Sequence, residues 1–243
     1  MGIQLSKNPS RFVCVSDRVT CLSYESSTFG SPESGKNWEI LLSVFRLTIT
    51  DRTDASKWKE KVDQLMNVYT QPCRWSIARS YVQETLRNST LLLTLEHEVP
   101  TEDGQLLLID AFMLLNPMLD GWYIGLICSG TQPLDLNLRL GLILHALAVS
   151  ELSLGNPKAA FYLETATSAL IPYYQGLGYE ISDQSCDGQN SLVATHEGQM
   201  MRLCNAAQSP LVKGLPAYIK RASEELSAKV LSSPSAKEEF YSN

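Results

Sequence analysis

The 243-residue chain has no cluster of basic residues, no CxxC pair and no long uninterrupted apolar run, and each absence removes a class of function. Its 20 Lys and Arg are scattered among 26 Asp and Glu, for a net charge of -6. A nucleic-acid binder needs a basic face to displace counterions from phosphates, so nucleic acid is not expected as a partner. The richest apolar stretch, Leu136 to Leu154, is interrupted by Asn137, Arg139, His145 and Glu151. It falls short of the roughly 18 continuous apolar residues that identify a membrane span, and reads as a buried helix. Cys14, Cys21, Cys73, Cys128, Cys186 and Cys204 are dispersed, so neither a zinc site nor a disulfide framework is signalled. No charged-then-apolar leader opens the chain, which points to a reducing, cytoplasmic compartment. The opening Met1-Gly2-Ile3-Gln4-Leu5-Ser6 fits the short pattern for myristoylation of Gly2.

What is present is an ordinary globular composition, 44% hydrophobic and 19% charged. Arg11 to Leu22 and Trp38 to Thr50 have strand character on either side of a Ser- and Gly-rich loop from Ser23 to Gly35, and Leu47 to Thr50 is the candidate first strand of a main sheet. Helical spacing marks Ala55 to Tyr69 and Trp75 to Arg87. Leu91 to Glu96, Gln105 to Leu115 and Trp122 to Cys128 then form an antiparallel meander. The long helix opens at Asp135 or Leu136, with Asp135 as N-cap, and runs to about Leu152. After it come a buried strand at Ala160 to Glu164, a helix at Ser168 to Leu177 stopped by Gly178, and strands at Tyr179 to Ser182 and Thr195 to Leu203. A terminal helix at Pro216 to Leu231 precedes a polar tail from Ser232 onward. This order predicts an α/β fold of the α+β kind, with a central mixed, largely antiparallel sheet flanked by helices.

Phe161-Tyr162-Leu163-Glu164-Thr165, followed by Ile171-Pro172-Tyr173-Tyr174-Gln175-Gly176-Leu177-Gly178-Tyr179-Glu180, resembles the GNAT acetyltransferases. The resemblance rests on Leu163, Glu164, Tyr174, Leu177, Gly178 and Glu180, with Tyr179 standing for the usual Phe. Upstream, Pro133 falls on the proline that follows the fourth family strand, and Gly141 on the last small residue of the acyl-CoA pyrophosphate loop. The loop departs from the pattern elsewhere: Thr131 replaces Val, Leu136 replaces Gln or Arg, and Arg139 replaces the first glycine.

The resemblance implies a GNAT-like domain over 47–210, preceded by a strand-rich N-terminal extension over 1–46 and followed by a C-terminal helix and tail over 211–243. It implies acetyl-CoA as co-substrate, a small-molecule amine as acceptor, and acetyl transfer as the reaction. Loop amides at a helix N-terminus would hold the pyrophosphate, which makes Thr131, Arg139, Leu140 and Gly141 the cofactor-binding candidates. Arg139 has two readings, a guanidinium paired with a phosphate or an arginine simply exposed on the first turn. Tyr174 takes the place of the family's proton donor to the departing thiolate. For a general base, Asp110 stands in an otherwise apolar strand, where an acid needs a partner or a raised pKa; the other reading is a strand position that faces solvent. Glu96, His97 and Glu98 read as a solvated hairpin end, His145 as a hydrogen-bonded core histidine, and Glu164 as a residue holding backbone at a strand end. An alternative keeps the fold but uses its cavity for another small-molecule reaction, such as a cyclisation, or for binding alone. The oligomeric state is left open.

Overall fold

The computed structural model describes residues 11–15, 20–24, 45–68, 77–101, 104–129, 138–154, 156–194 and 198–232. Gly2, the loop from Ser23 to Gly35 beyond Tyr24, Trp38 to Ser43, Thr131, Pro133, Asp135, Leu136 and the tail after Ser232 lie outside the described residues.

Strands β1 (Arg11–Val15) and β2 (Thr20–Tyr24) pair with each other as an antiparallel ribbon. The main sheet has seven strands: β3 (Phe45–Asp51), β4 (Leu91–Thr101), β5 (Gly104–Pro117), β6 (Gly121–Ser129), β7 (Ala160–Glu164), β8 (Glu180–Ile181) and β9 (Met200–Leu203). Their spatial order is β3-β4-β5-β6-β7-β9-β8, and every pair is antiparallel except β6 with β7. The expected mixed, largely antiparallel sheet flanked by helices is therefore observed.

Alternation along the strands divides the core between two faces. Leu91, Leu93 and Leu95 of β4 meet Ala111, Met113 and Leu115 of β5 on the face covered by α3 (Leu140–Leu154). Leu92 of β4 and Phe112 and Leu114 of β5 turn to the opposite face, where α1 (Ala55–Val68) and α2 (Arg79–Asn88) bury Leu65, Met66, Val82 and Leu86. Each such buried leucine contributes roughly 2 kcal/mol by removal of its apolar surface from water. Helix α3 is apolar on every side because it is a central layer. It packs on β4, β5 and β6 and is covered in turn by α5 (Pro210–Lys213) and α6 (Leu215–Ser232).

Several boundaries differ from the sequence expectation for identifiable reasons. Helix α2 starts at Arg79, because Ala78 is extended, with ψ 134°. Helix α3 starts at Leu140, because Arg139 is left-handed, with φ 51°. The span from Ser168 divides into a 3-10 turn, Ser168–Leu170, and a short α4, Ile171–Gly176, with Pro172 in its first turn. Only Met200–Leu203 of the last predicted strand pairs in the sheet.

Two further expectations are corrected. Cys186 and Cys204 form a disulfide across 18 residues of sequence, and Cys128 is disulfide-bonded as well, so the cysteines are not the unpaired set that their dispersed spacing suggested. Nor is the region around Glu96 a solvated hairpin end. Strand β4 continues to Thr101, and Glu96 is 1% exposed. Its carboxylate accepts from Lys61 Nζ at 2.7 Å, from Thr48 Oγ1 at 3.3 Å and from Thr94 Oγ1. Lys61 therefore ties α1 to the sheet through a buried charge pair, and removing one partner leaves the other charge desolvated. Lys61→Met is expected to lower unfolding free energy by about 3 kcal/mol, measured by urea denaturation. A loss under ~1 kcal/mol, the range of an exposed pair, would show that the pair is solvated.

Candidate active site

Strands β6 and β7 run parallel from Gly121 with Ala160 to Ile124 with Leu163. A side chain at Gly121 would overlap the Ala160 carbonyl, so the two strands can start this close only where one residue has no Cβ. The ladder stops where β7 ends, at Glu164: among the described residues, 125–129 of β6 have no strand paired on the β7 side. A β-bulge marks the change. Leu114 pairs with Leu126 and Leu115 with Ile124, leaving Gly125 as the extra residue. Bulges kink a strand and increase its local twist.

The N-terminus of α3 sits at the far end of β6. A Cβ on Gly141 would stand 2.8 Å from Ser129 Oγ and 3.1 Å from Ser129 Cβ, so the glycine lets the first turn of the helix lie directly on the strand. The first intrahelical bonds run from Leu142 and Ile143 N–H to Arg139 O, at 2.9 and 3.2 Å. The N–H groups of Leu140 and Gly141 thus precede the helical ladder, at the positive end of the helix dipole. Arg139 is exposed, and its left-handed φ is a conformation that a glycine adopts without cost. Gly141→Val is expected to destabilise the fold by about 2 kcal/mol through overpacking against Ser129, read by thermal or urea unfolding. An unchanged midpoint would show that the helix end is free to move off β6.

Tyr174 of α4 is half-buried among other aromatic rings. Its ring stands edge-on to Tyr173 at 5.1 Å, Tyr179 at 5.7 Å and His145 at 6.4 Å. Burial pushes the Tyr174 phenol up to about 12, with a smaller contribution from Tyr173, so it keeps its proton at neutral pH. Tyr173 is 46% exposed and belongs to the rim. His145 is buried within α3 and hydrogen-bonded through Nε2 to the Tyr179 hydroxyl at 2.8 Å, as expected of a core histidine.

Asp110 has a partner across the strands. It is 6% exposed and accepts a hydrogen bond from His97 Nδ1 of β4. A second bulge makes this contact. Leu95 pairs with Ala111 and Glu96 with Ile109, so Asp110 is the unpaired residue, and the shift turns its carboxylate to the face that carries His97. The His97 ring also packs edge-on to Phe45 at 5.8 Å. Because Ala111 pairs with Ser129, and Ser129 touches Gly141, the His97–Asp110 pair lies at the α3 N-terminal end of the sheet.

The sequence reading missed Tyr123. It is half-buried on β6, in register with Tyr162, and its phenol is pushed up to about 12 by burial first and then by the Glu164 carboxylate and Tyr81. Tyr81 of α2 and Glu164 at the end of β7 thus share a polar neighbourhood with Tyr123 on the α1–α2 face. Alternation within Trp122-Tyr123-Ile124 was the available signal for it. Among the described residues no group of three metal-ligating side chains occurs, and no helix is long and apolar enough to cross a membrane.

No protein-family model and no curated protein matches the sequence. Among solved structures, the chain is similar to the ribosomal-protein-S18-alanine N-acetyltransferase from Escherichia coli, at 18% identity over 65% of this chain and 93% of that one, with a TM-score of 0.40. It is also similar to a spermidine N-acetyltransferase from Vibrio cholerae, at 13% identity over 68% and 95% of the two chains, with a TM-score of 0.38.

The buried His145 makes stability depend on pH. Burial lowers its pKa from 6.5 to about 3, so below pH 6.5 the unfolded chain takes up a proton that the folded chain refuses. Its contribution is complete above 6.5 and is lost as pH falls toward 3. From pH 7 to pH 5 this single group is expected to remove ~2 kcal/mol of stability. Glu151, raised by burial, acts in the opposite direction. Urea denaturation of wild type and His145→Gln at both pH values isolates the histidine. An identical pH slope in the two proteins would contradict this assignment.

Proposed function

We propose that the chain is a GNAT-type N-acyltransferase that moves an acetyl group from acetyl-CoA to a small-molecule amine. The observation that carries this reading is that β6 runs on beyond its short parallel ladder with β7, which ends at Ile124 and Leu163, to a far end where α3 is held against it through Gly141 and Ser129. A strand edge beyond such a ladder is where an extended arm would pair with main chain as an added strand does. In this reading residues 47–210 form the catalytic unit.

The residues at the helix end suit a bound pyrophosphate. The amides of Leu140 and Gly141 precede the helical ladder, and Arg139 is exposed beside them. These groups would hold the phosphates, with Thr131 on the same loop. When bound, acetyl-CoA supplies the activated acyl group as a thioester. The chain's own residues then supply the proton chemistry. Tyr174, protonated at neutral pH and set among Tyr173, His145 and Tyr179, is the donor to the departing thiolate. Asp110, with His97 bonded to it, is the acceptor pair for the proton of the attacking amine.

A specific observation favours the second reading, a fold that no longer transfers acetyl groups. The direction of the missing Cβ at Gly141 is filled by Ser129, so packing alone accounts for this glycine, and Arg139 replaces the other one. Calorimetric titration with acetyl-CoA separates the two. The transferase reading expects saturable binding, weakened tenfold or more by Arg139→Glu, which is about 1.4 kcal/mol. Tyr174→Phe is expected to lower kcat by roughly 100-fold while leaving acetyl-CoA affinity unchanged. Absence of binding at millimolar acetyl-CoA removes the transferase reading, and an unchanged kcat removes Tyr174 from the mechanism.

A further inference from the structure

The segment between β8 and β9 is irregular but tightly organised. Among its described residues, the ladder contact is an isolated bridge between Gln184 and Ser191. Inside the segment, Ser185 N–H donates to Asn190 O at 2.8 Å, Gly188 N–H to Ser185 O at 2.9 Å and Leu192 N–H to Asp183 O at 2.6 Å. The Ser185 hydroxyl donates to Asp187 and accepts from Asn190 N–H. These bonds give the segment its shape, yet none of them attaches it to the sheet.

Attachment comes first from Ser182 N–H, which donates to Met200 O of β9 at 3.1 Å, and then from four other contacts. Arg202 of β9 donates through Nη1 to Gln184 O and Ser185 O, both at 3.1 Å. Cys186 N–H donates to the Tyr162 hydroxyl at 2.9 Å, and that hydroxyl donates onward to Asp120 at the start of β6. Leu192 is buried against Ala160, Tyr162 and Met200. The fourth is covalent, the Cys186–Cys204 disulfide, which joins the segment to the residue directly after β9. Both cysteines are half-buried, within reach of a small thiol or disulfide.

We propose that Cys186 and Cys204 form a thiol–disulfide modification site that latches residues 182–194 over Tyr162. Closing the latch oxidises two thiols: an S–S bond forms between Cys186 and Cys204, two electrons and two protons leave them, and a small-molecule disulfide such as glutathione disulfide is reduced to two thiols. Opening reverses this with a dithiol or thiol reductant. A cross-link over a loop of this length biases the closed form by roughly 100-fold, since it removes open conformations from the ensemble. With the bond reduced, the segment is held by noncovalent contacts alone, those of Ser182, Arg202, Leu192 and the Cys186 N–H, and its opening uncovers Tyr162 on β7, two residues from Glu164. The latch rests on these contacts alone and stands whether or not the chain transfers acetyl groups.

The test uses the full chain isolated without reductant and quenched with iodoacetamide. Peptide mass spectrometry is expected to find Cys186 linked to Cys204. Hydrogen exchange is then compared for oxidised protein, protein treated with a phosphine reductant, and protein re-oxidised with glutathione disulfide. Exchange in 182–194 should accelerate at least tenfold, and toward about 100-fold, on reduction, return on re-oxidation, and stay unchanged in α3. Because Cys128 is also disulfide-bonded, Cys186→Ser/Cys204→Ser provides the control: it should show the fast exchange without reductant and no further response. Alkylation of both cysteines in unreduced protein, equal exchange of 182–194 in the oxidised and reduced chains, or a reductant response that persists in the double variant each overturns the latch.

Discussion

Strand β6 shares a parallel ladder with β7 for four residue pairs and then runs on beyond it, and the rest of the molecule is arranged around that extension. Gly121 permits the close start, the Gly125 bulge bends the strand, and Gly141 brings α3 down on its far end at Ser129. A helix N-terminus, with amides ahead of its ladder, is thereby placed at the end of β6 that lies beyond its ladder with β7. Such a junction needs support from both faces of the sheet. The apolar α3 layer provides it on one side and the α1–α2 pair on the other.

Several buried polar groups inside this frame are kept with a partner. Glu96 is held by Lys61 and two threonines, Asp110 by His97, His145 by Tyr179, and Tyr162 by Asp120 and Cys186, while Thr50 Oγ1, Glu151 Oε2 and Ser153 Oγ are buried without one among the described residues. Their consequences differ. The Lys61–Glu96 pair ties a helix to the sheet, whereas His145 makes stability fall in mild acid. The His97–Asp110 pair bridges β4 and β5 at the α3 N-terminal end of the sheet.

Where the candidate site was legible in the sequence, its residues lie close together in the chain. Tyr174 and the Leu163-Glu164 strand end belong to one stretch whose strand-helix-strand order can be read directly. The long helix was legible as an element, but its start was expected at Asp135 or Leu136, and the structure begins it at Leu140. The partners that sequence missed are cross-strand contacts. His97 meets Asp110 only because a bulge shifts the β4–β5 register, and a single extra residue changes which face every later side chain occupies. Tyr123 joins Glu164 through the β6–β7 pairing. Cys186 reaches Cys204 because β9 returns antiparallel to β8, a path that no spacing rule encodes.

Local chemistry by itself determined the order and kind of elements: alternation specified the strands, helical spacing specified α1 and α2, and the apolar stretch from Leu136 to Leu154 announced a buried helix. It marked Asp110, among apolar neighbours, as an acid that needs a partner, a raised pKa or a face toward solvent. Tertiary structure alone decided who that partner is, why position 141 must be glycine, where the β6–β7 ladder ends, and which cysteines are joined. These are outcomes of register, bulge and close approach between segments far apart in the chain. They depend on distances that exist only once both faces of the sheet are packed.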